Sequence, residues 1–169
     1  MRNFQSSDYK FVQTVYALLD MGDSLMVGTD DGALVLNYKT EVIHRIALKP
    51  VKGGQKNIHV TSLALDKDNN VWISTMGHGV FHYTTDNGVV RHANVCANNR
   101  VAQVFVDSSN QIWALTAWDK NGLYLFDKAT RRFGVYKLNG NWSPSVYCMT
   151  ETDDGTLWLG TWNEGIVAF

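Results

Sequence analysis

The chain is short of the residues that define several large protein classes. It has 2 cysteines, Cys96 and Cys148, among 169 residues. That is too few for a disulfide scaffold, and the Cys-x-x-Cys pairs of a zinc knuckle are missing. Both are expected as thiols buried or half-buried in the fold. Proline is scarce at 2, and neither charge sign dominates: 15 Lys and Arg against 16 Asp and Glu leave a net charge of -1. Such a balance gives no basic footprint for nucleic acid and no attraction to an anionic membrane surface. Apolar runs never reach the roughly 18 residues of a membrane-spanning helix. The first ten residues, MRNFQSSDYK, lack the apolar core of a signal peptide. The expectation is either a cytoplasmic chain or a piece whose targeting segment lies elsewhere.

Catalytic signatures are missing as well. No G-x-S-x-G, P-loop or G-x-G-x-x-G occurs, and none of the five histidines has the H-E-x-x-H context of a zinc protease. The Asp- and Asn-rich turns lack the ligand ladder of an EF-hand. They read as hairpin turns, since Asn and Asp tolerate left-handed backbone and bond their own chain. Neither a metal nor a cofactor is expected. Asn141-Trp142-Ser143 fits the glycosylation pattern, but Pro144 discourages modification.

What is present is a composition of 45% hydrophobic and 18% charged residues, ordinary for a globular chain, and an unusual 6 tryptophans. Four segments align with one another: residues 15–36, 60–83, 100–127 and 146–169. In each, an alternating apolar strand ends near an acidic residue and a polar turn follows. A second strand carries Met26, Trp72, Trp113 or Trp158 and ends at Thr29, Thr75, Thr116 or Thr161. After a short loop a glycine (Gly32, Gly79, Gly122, Gly165) opens a third strand. A weaker fourth strand is expected at 41–48, 88–93 and 132–138. Period-2 alternation and frequent turn clusters exclude helical solenoids. The implied fold is all-β, a β-propeller of four four-stranded antiparallel repeats, either a four-blade section or a small closed ring. The blades are placed at about 12–50, 58–95, 99–140 and 145–169, with an N-terminal strand at 1–11, in one propeller region over 1–169. Trp72, Trp113 and Trp158 are expected to pack between blades.

Trp-Asp occurs once, at Trp118-Asp119 and in a loop, which does not fit a WD40 repeat; Gly53-Gly54 is a single doublet, which does not fit kelch. The run Asp153-Asp154-Gly155-Thr156-Leu157-Trp158-Leu159-Gly160-Thr161, followed by Gly165-Ile166, resembles the two-component regulator propeller repeat. VWIST and IWALT match it less closely, and LMVGT, without tryptophan, least. The resemblance implies the extracytoplasmic, periplasmic sensor region of a hybrid two-component system of Bacteroides type. Such a protein is anchored in the inner membrane and responds to oligosaccharides. The segment itself is then not an enzyme. A protein-interaction or dimerisation scaffold is the second reading. The third is a propeller lyase like streptogramin B lyase, with His59 or His78 and a divalent metal.

Phe4 precedes Val15 much as Phe133 precedes Val146, so the chain reads as starting at a fourth strand and stopping after a third. That strand could complete the last blade. Otherwise the chain is a section completed by the remaining blades of a parent propeller, or by a second copy head to tail. In a propeller, the loops between second and third strands share one face with the loops between blades. Trp118, Asp119, Trp142, Trp162, Asn163, Glu164, His59, His78 and Arg100 all fall there. Aromatic faces flanked by polar groups suit the C–H faces and hydroxyls of a sugar.

Overall fold

The computed structural model describes residues 14–169. The strand expected at 1–11 lies outside the described residues. Fifteen strands form four antiparallel sheets, and no helix occurs among the described residues. The first sheet holds β1 (Val15–Asp20), β2 (Ser24–Thr29), β3 (Gly32–Asn37) and β4 (Ile43–Arg45). The second holds β5 (Val60–Leu65), β6 (Val71–Thr75), β7 (Val80–Thr84) and β8 (Val89–Ala93). The third holds β9 (Gln103–Val106), β10 (Ile112–Leu115), β11 (Leu123–Asp127) and β12 (Arg132–Val135). The last has β13 (Val146–Glu151), β14 (Leu157–Thr161) and β15 (Ile166–Ala168). Each sheet is a simple meander, so every strand pairs with its neighbour in sequence. The fourth strands are shorter than expected. They lie at the outer rim, and left-handed turn residues at Glu41 and Arg131 (φ of 57° each) come one or two residues before two of them.

The first strands β1, β5, β9 and β13 pack in series, as the inner edges of successive propeller blades do. No comparable contact joins β13 back to β1 among the described residues. Polar side chains bond across the series. The Thr61 hydroxyl donates to Val101 O (2.7 Å), and Val104 N–H donates to Ser62 Oγ (2.8 Å). Met149 N–H donates to Gln103 Oε1 (2.8 Å). The apolar core is therefore divided into three clusters, each between adjacent sheets.

The repeated tryptophan explains this division. Trp72 and Trp113 are 4% and 2% exposed, and each ring faces the following sheet. Trp72 meets Phe126 at 4.7 Å, and Trp113 meets Phe169 at 5.9 Å, both edge-on. Their indole N–H groups donate to Asp66 Oδ2 (2.9 Å) and Asp107 Oδ2 (2.8 Å). The other oxygen of each carboxylate accepts backbone N–H groups of the turn: Asp68 and Asn70 on Asp66, Ser109 and Gln111 on Asp107. Asn69 and Asn110 take the left-handed conformation there (φ 58° and 59°), as the turn reading expected.

Trp158 departs from the expected packing. Its ring is 41% exposed, because no sheet lies beyond the last one among the described residues. Thr152 replaces the aspartate, and its hydroxyl accepts the indole N–H at 3.2 Å. Cys148 shares this outward face and is exposed rather than buried. Each repeated threonine closes its loop: its hydroxyl donates to Gly32 O, Gly79 O, Asn121 O and Gly165 O respectively. The glycines that follow are needed for two reasons. Gly79 has φ of 71°, whereas a Cβ at Gly122 would strike the backbone of Pro144 and Ser145.

Two measurements follow from this packing. Trp113→Ala should cost about 4 kcal/mol in urea unfolding and Trp158→Ala only about 1 kcal/mol, since the second ring is already half in water. Equal losses would contradict the exposed last face. The second concerns His82, which stacks on Trp72 at 4.4 Å. Burial pushes its imidazole below the ordinary value, against a smaller opposing pull from Asp66. The fold therefore keeps the ring neutral where the unfolded chain takes up a proton. Stability is untouched by this group above about pH 6.5 and falls as the pH drops below it. The urea midpoint should decline towards acid pH, and less steeply for His82→Gln.

Candidate functional site

The loop face is organised around three aromatic rings from the last two sheets. Trp118 lies in the β10–β11 loop, Trp162 in the β14–β15 loop, and Tyr147 near the start of β13. The Tyr147 ring sits between the other two. It meets Trp118 at 5.6 Å, steeply tilted, and Trp162 at 5.6 Å, nearly parallel. Tyr147 is 43% and Trp162 is 59% exposed, so the row opens to solvent. The Arg100 guanidinium lies over Trp118, 4.7 Å from its centroid, and extends the row by a cation.

Backbone geometry explains why Tyr147 points this way. The pairing of β13 with β14 slips between Val146 and Cys148, so Tyr147 is the extra residue of a β-bulge. The bulge takes its ring out of the strict alternation of the strand. The same slip occurs at Tyr16 and Thr61. The two loops of the row are also tied together. The Ser145 hydroxyl donates to Asp119 O (2.9 Å), while Trp162 N–H donates to Ser145 O (3.0 Å).

Three of the residues singled out in the sequence, Trp118, Trp162 and Arg100, are thus brought together. Asp119 borders them, with its carboxylate accepting Lys120 N–H (2.7 Å). Asn163 and Glu164 are exposed in the Trp162 loop, where Glu164 N–H donates to Thr161 Oγ1. His59 stands apart, tilted against Tyr16 at 4.1 Å. Trp142 is exposed on its own turn, paired through its backbone with Leu138, and takes no part in the row. His78 is fully buried. Its Nδ1 accepts Val51 N–H (3.2 Å) and its Nε2 donates to Asn57 O (3.3 Å), so the ring fastens the loop between the first two sheets. Tyr147 was not singled out in the sequence. The signal was there in the shared Val-Tyr of VYALL and VYCMT, but alternation alone gives no bulge.

Burial pushes the Cys96 thiol up, towards its unreactive protonated form. Among the described residues, no group of three His, Cys, Asp or Glu side chains could hold a metal ion.

Residues 54–77 and 142–163 match the family model of the two-component regulator propeller. The two matched segments are similar to two-component regulator propeller repeats. No curated protein matches the chain's sequence. Among solved structures, the chain resembles the extracellular domain of BT4673 from B. thetaiotaomicron, described as a one-component system. Identity is 26% over 93% of this chain and 21% of that one, with a TM-score of 0.75. The extracellular domain of BT3049, described as a hybrid two-component system of the same organism, aligns at 17% identity. It covers 92% of this chain and 23% of that chain, with a TM-score of 0.70. Virginiamycin B lyase of Staphylococcus aureus, in an inactive variant with quinupristin, shares the propeller fold at 14% identity. That match covers 95% of this chain and 57% of the lyase, with a TM-score of 0.72. The chain spans about one fifth of the length of the two extracellular domains. It is a propeller segment resembling sensor domains of these regulatory systems.

Tyr147 is the hinge of the aromatic row. Tyr147→Ala should cost only about 1 kcal/mol, because the ring is half exposed. It should nevertheless reshape the near-UV circular dichroism of Trp118 and Trp162. An unchanged spectrum would show that the rings do not interact.

Proposed function

We propose that the chain is the ligand-sensing part of an extracytoplasmic propeller in a hybrid two-component system, without catalytic activity of its own. Its ligand is an oligosaccharide. The observation that carries this reading is the open row of Trp118, Tyr147 and Trp162. Successive aromatic faces present flat apolar surfaces to pyranose C–H groups, and Asp119, Asn163 and Glu164 offer hydrogen-bond partners at the rim. Support for the location comes from the extracellular domains it resembles. The regulatory output belongs to parts of such a protein beyond these repeats.

A second reading is favoured by one observation. The outward face of the last sheet leaves Trp158 and Ile166 in water, where the equivalent faces of the second and third sheets are covered. This face suits contact with another blade, from the same polypeptide or from a second copy.

The readings separate by mutation. Trp118→Ala and Trp162→Ala should each weaken binding of a recognised tetrasaccharide about tenfold in tryptophan-fluorescence titration, and Trp158→Ala should not. Unchanged affinity in both loop variants would refute the sensing site. Loss of self-association in Trp158→Ala, seen by sedimentation, would favour the second reading.

A further inference from the structure

Beside the aromatic row lies a cleft of about 350 Å³ on the same face. Its walls are residues 53–55 from the loop between the first two sheets, Met76 and Gly77 from the β6–β7 loop, and Asn98 and Arg100. Arginine is the one charged residue in this lining, and no carboxylate is present. The loop forming one wall, KPVKGGQKN over residues 49–57, contains Lys49, Lys52 and Lys56 and no acid. In a chain of net charge -1, that is a local excess of positive charge.

The cleft is built rather than incidental. His78 holds the loop from beneath through Val51 and Asn57. Asn98 Oδ1 accepts Arg100 N–H at 3.0 Å and fixes where that side chain starts. Gly53 and Gly77 have φ of 84° and 100°, and the space where a Cβ would stand is open at both, so the cleft stays bare of side chains there. Arg100 spends its Nε on Met76 Sδ (3.4 Å) and its flat face on Trp118. Neither contact neutralises it. Among the described residues it forms no salt bridge, and no hydrogen bond engages its terminal amino groups.

We propose that this cleft takes the acidic group, a carboxylate or a sulfate, of a ligand whose sugar rings lie along Trp118, Tyr147 and Trp162. The inference rests on the oligosaccharide reading and adds the ligand's charge to it. A guanidinium fork matches a planar or tetrahedral oxyanion with two parallel hydrogen bonds, and stacking on an indole holds the fork in place. Arg100 belongs to both the cleft and the row, so it sets how far the acidic group stands from the stacked rings. The cleft on the opposite face, between the first two sheets, is lined by Asp23 and Asp86 with no lysine or arginine, and would repel such a ligand.

Fluorescence titration of the chain with three probes tests this: trigalacturonate for carboxylate, a sulfated carrageenan tetrasaccharide for sulfate, and neutral cellotetraose. One acidic probe should bind at least about tenfold more tightly than cellotetraose, and which one identifies the group. Arg100→Gln should weaken that binding about tenfold or more, and Arg100→Lys, which keeps the charge without the fork, by less. Lys128→Gln, which removes a charge from the opposite face, should leave it unchanged. If Arg100→Gln proves unfolded by its thermal transition, weaker binding by Arg100→Lys carries the test. Equal binding of all three probes with no effect at Arg100 overturns the acidic-ligand inference and leaves the aromatic platform standing. Equal losses in Arg100→Gln and Lys128→Gln also overturn it, as diffuse attraction. No binding of any probe overturns both.

Discussion

Asp66 and Asp107 each accept an indole N–H, and the rest of each blade is arranged around that bond. A buried carboxylate is costly unless every lone pair is used. Here one oxygen takes the indole and the other takes the turn amides, so the turn and the ring are fixed together. The ring then reaches across to the next sheet. A single side-chain pair thus couples a tight local structure, a hairpin turn, to a contact between neighbouring sheets. Where the pair weakens, at Thr152 and Trp158, the sheet also leaves a face uncovered among the described residues.

This arrangement makes the molecule a row of nearest neighbours. Each hydrophobic cluster joins two adjacent sheets and no cluster joins three. Stability in such an array is close to a sum of unit and interface terms. The loop face is then free to vary, because the threonine hydroxyls and strand-opening glycines hold the loop ends wherever the loop tips go. Trp118 and Trp162 occupy such tips, and their positions relative to each other are set by Ser145 bridging the two loops.

The repeat was legible because it is written in large residues and special ones. Tryptophan, threonine and glycine recur at matching places in 169 residues, and each has a narrow physical use. Trp118, Trp162 and Arg100 could be placed on one face for the same reason: once the strands are counted, loop residues follow. Less legible was anything that depends on a break in alternation or on who lies next door. Tyr147 joins the row only because a bulge turns it there. His78 looks like a loop histidine in sequence, yet it is drawn inside by two backbone partners more than twenty residues upstream. Trp158 carries the strongest match to the family repeat, but its burial depends on a neighbour rather than on its own motif.

The bridge between Trp118 and Trp162 has a thermodynamic consequence. Among the described residues the last sheet packs against one neighbouring sheet only, so its detachment is among the least expensive openings there. A ligand lying across both rings would have to lose half its contacts for that sheet to leave. Occupancy would therefore protect the amides of β13–β15 from exchange, and this sheet would become a latch whose closure reports what is bound.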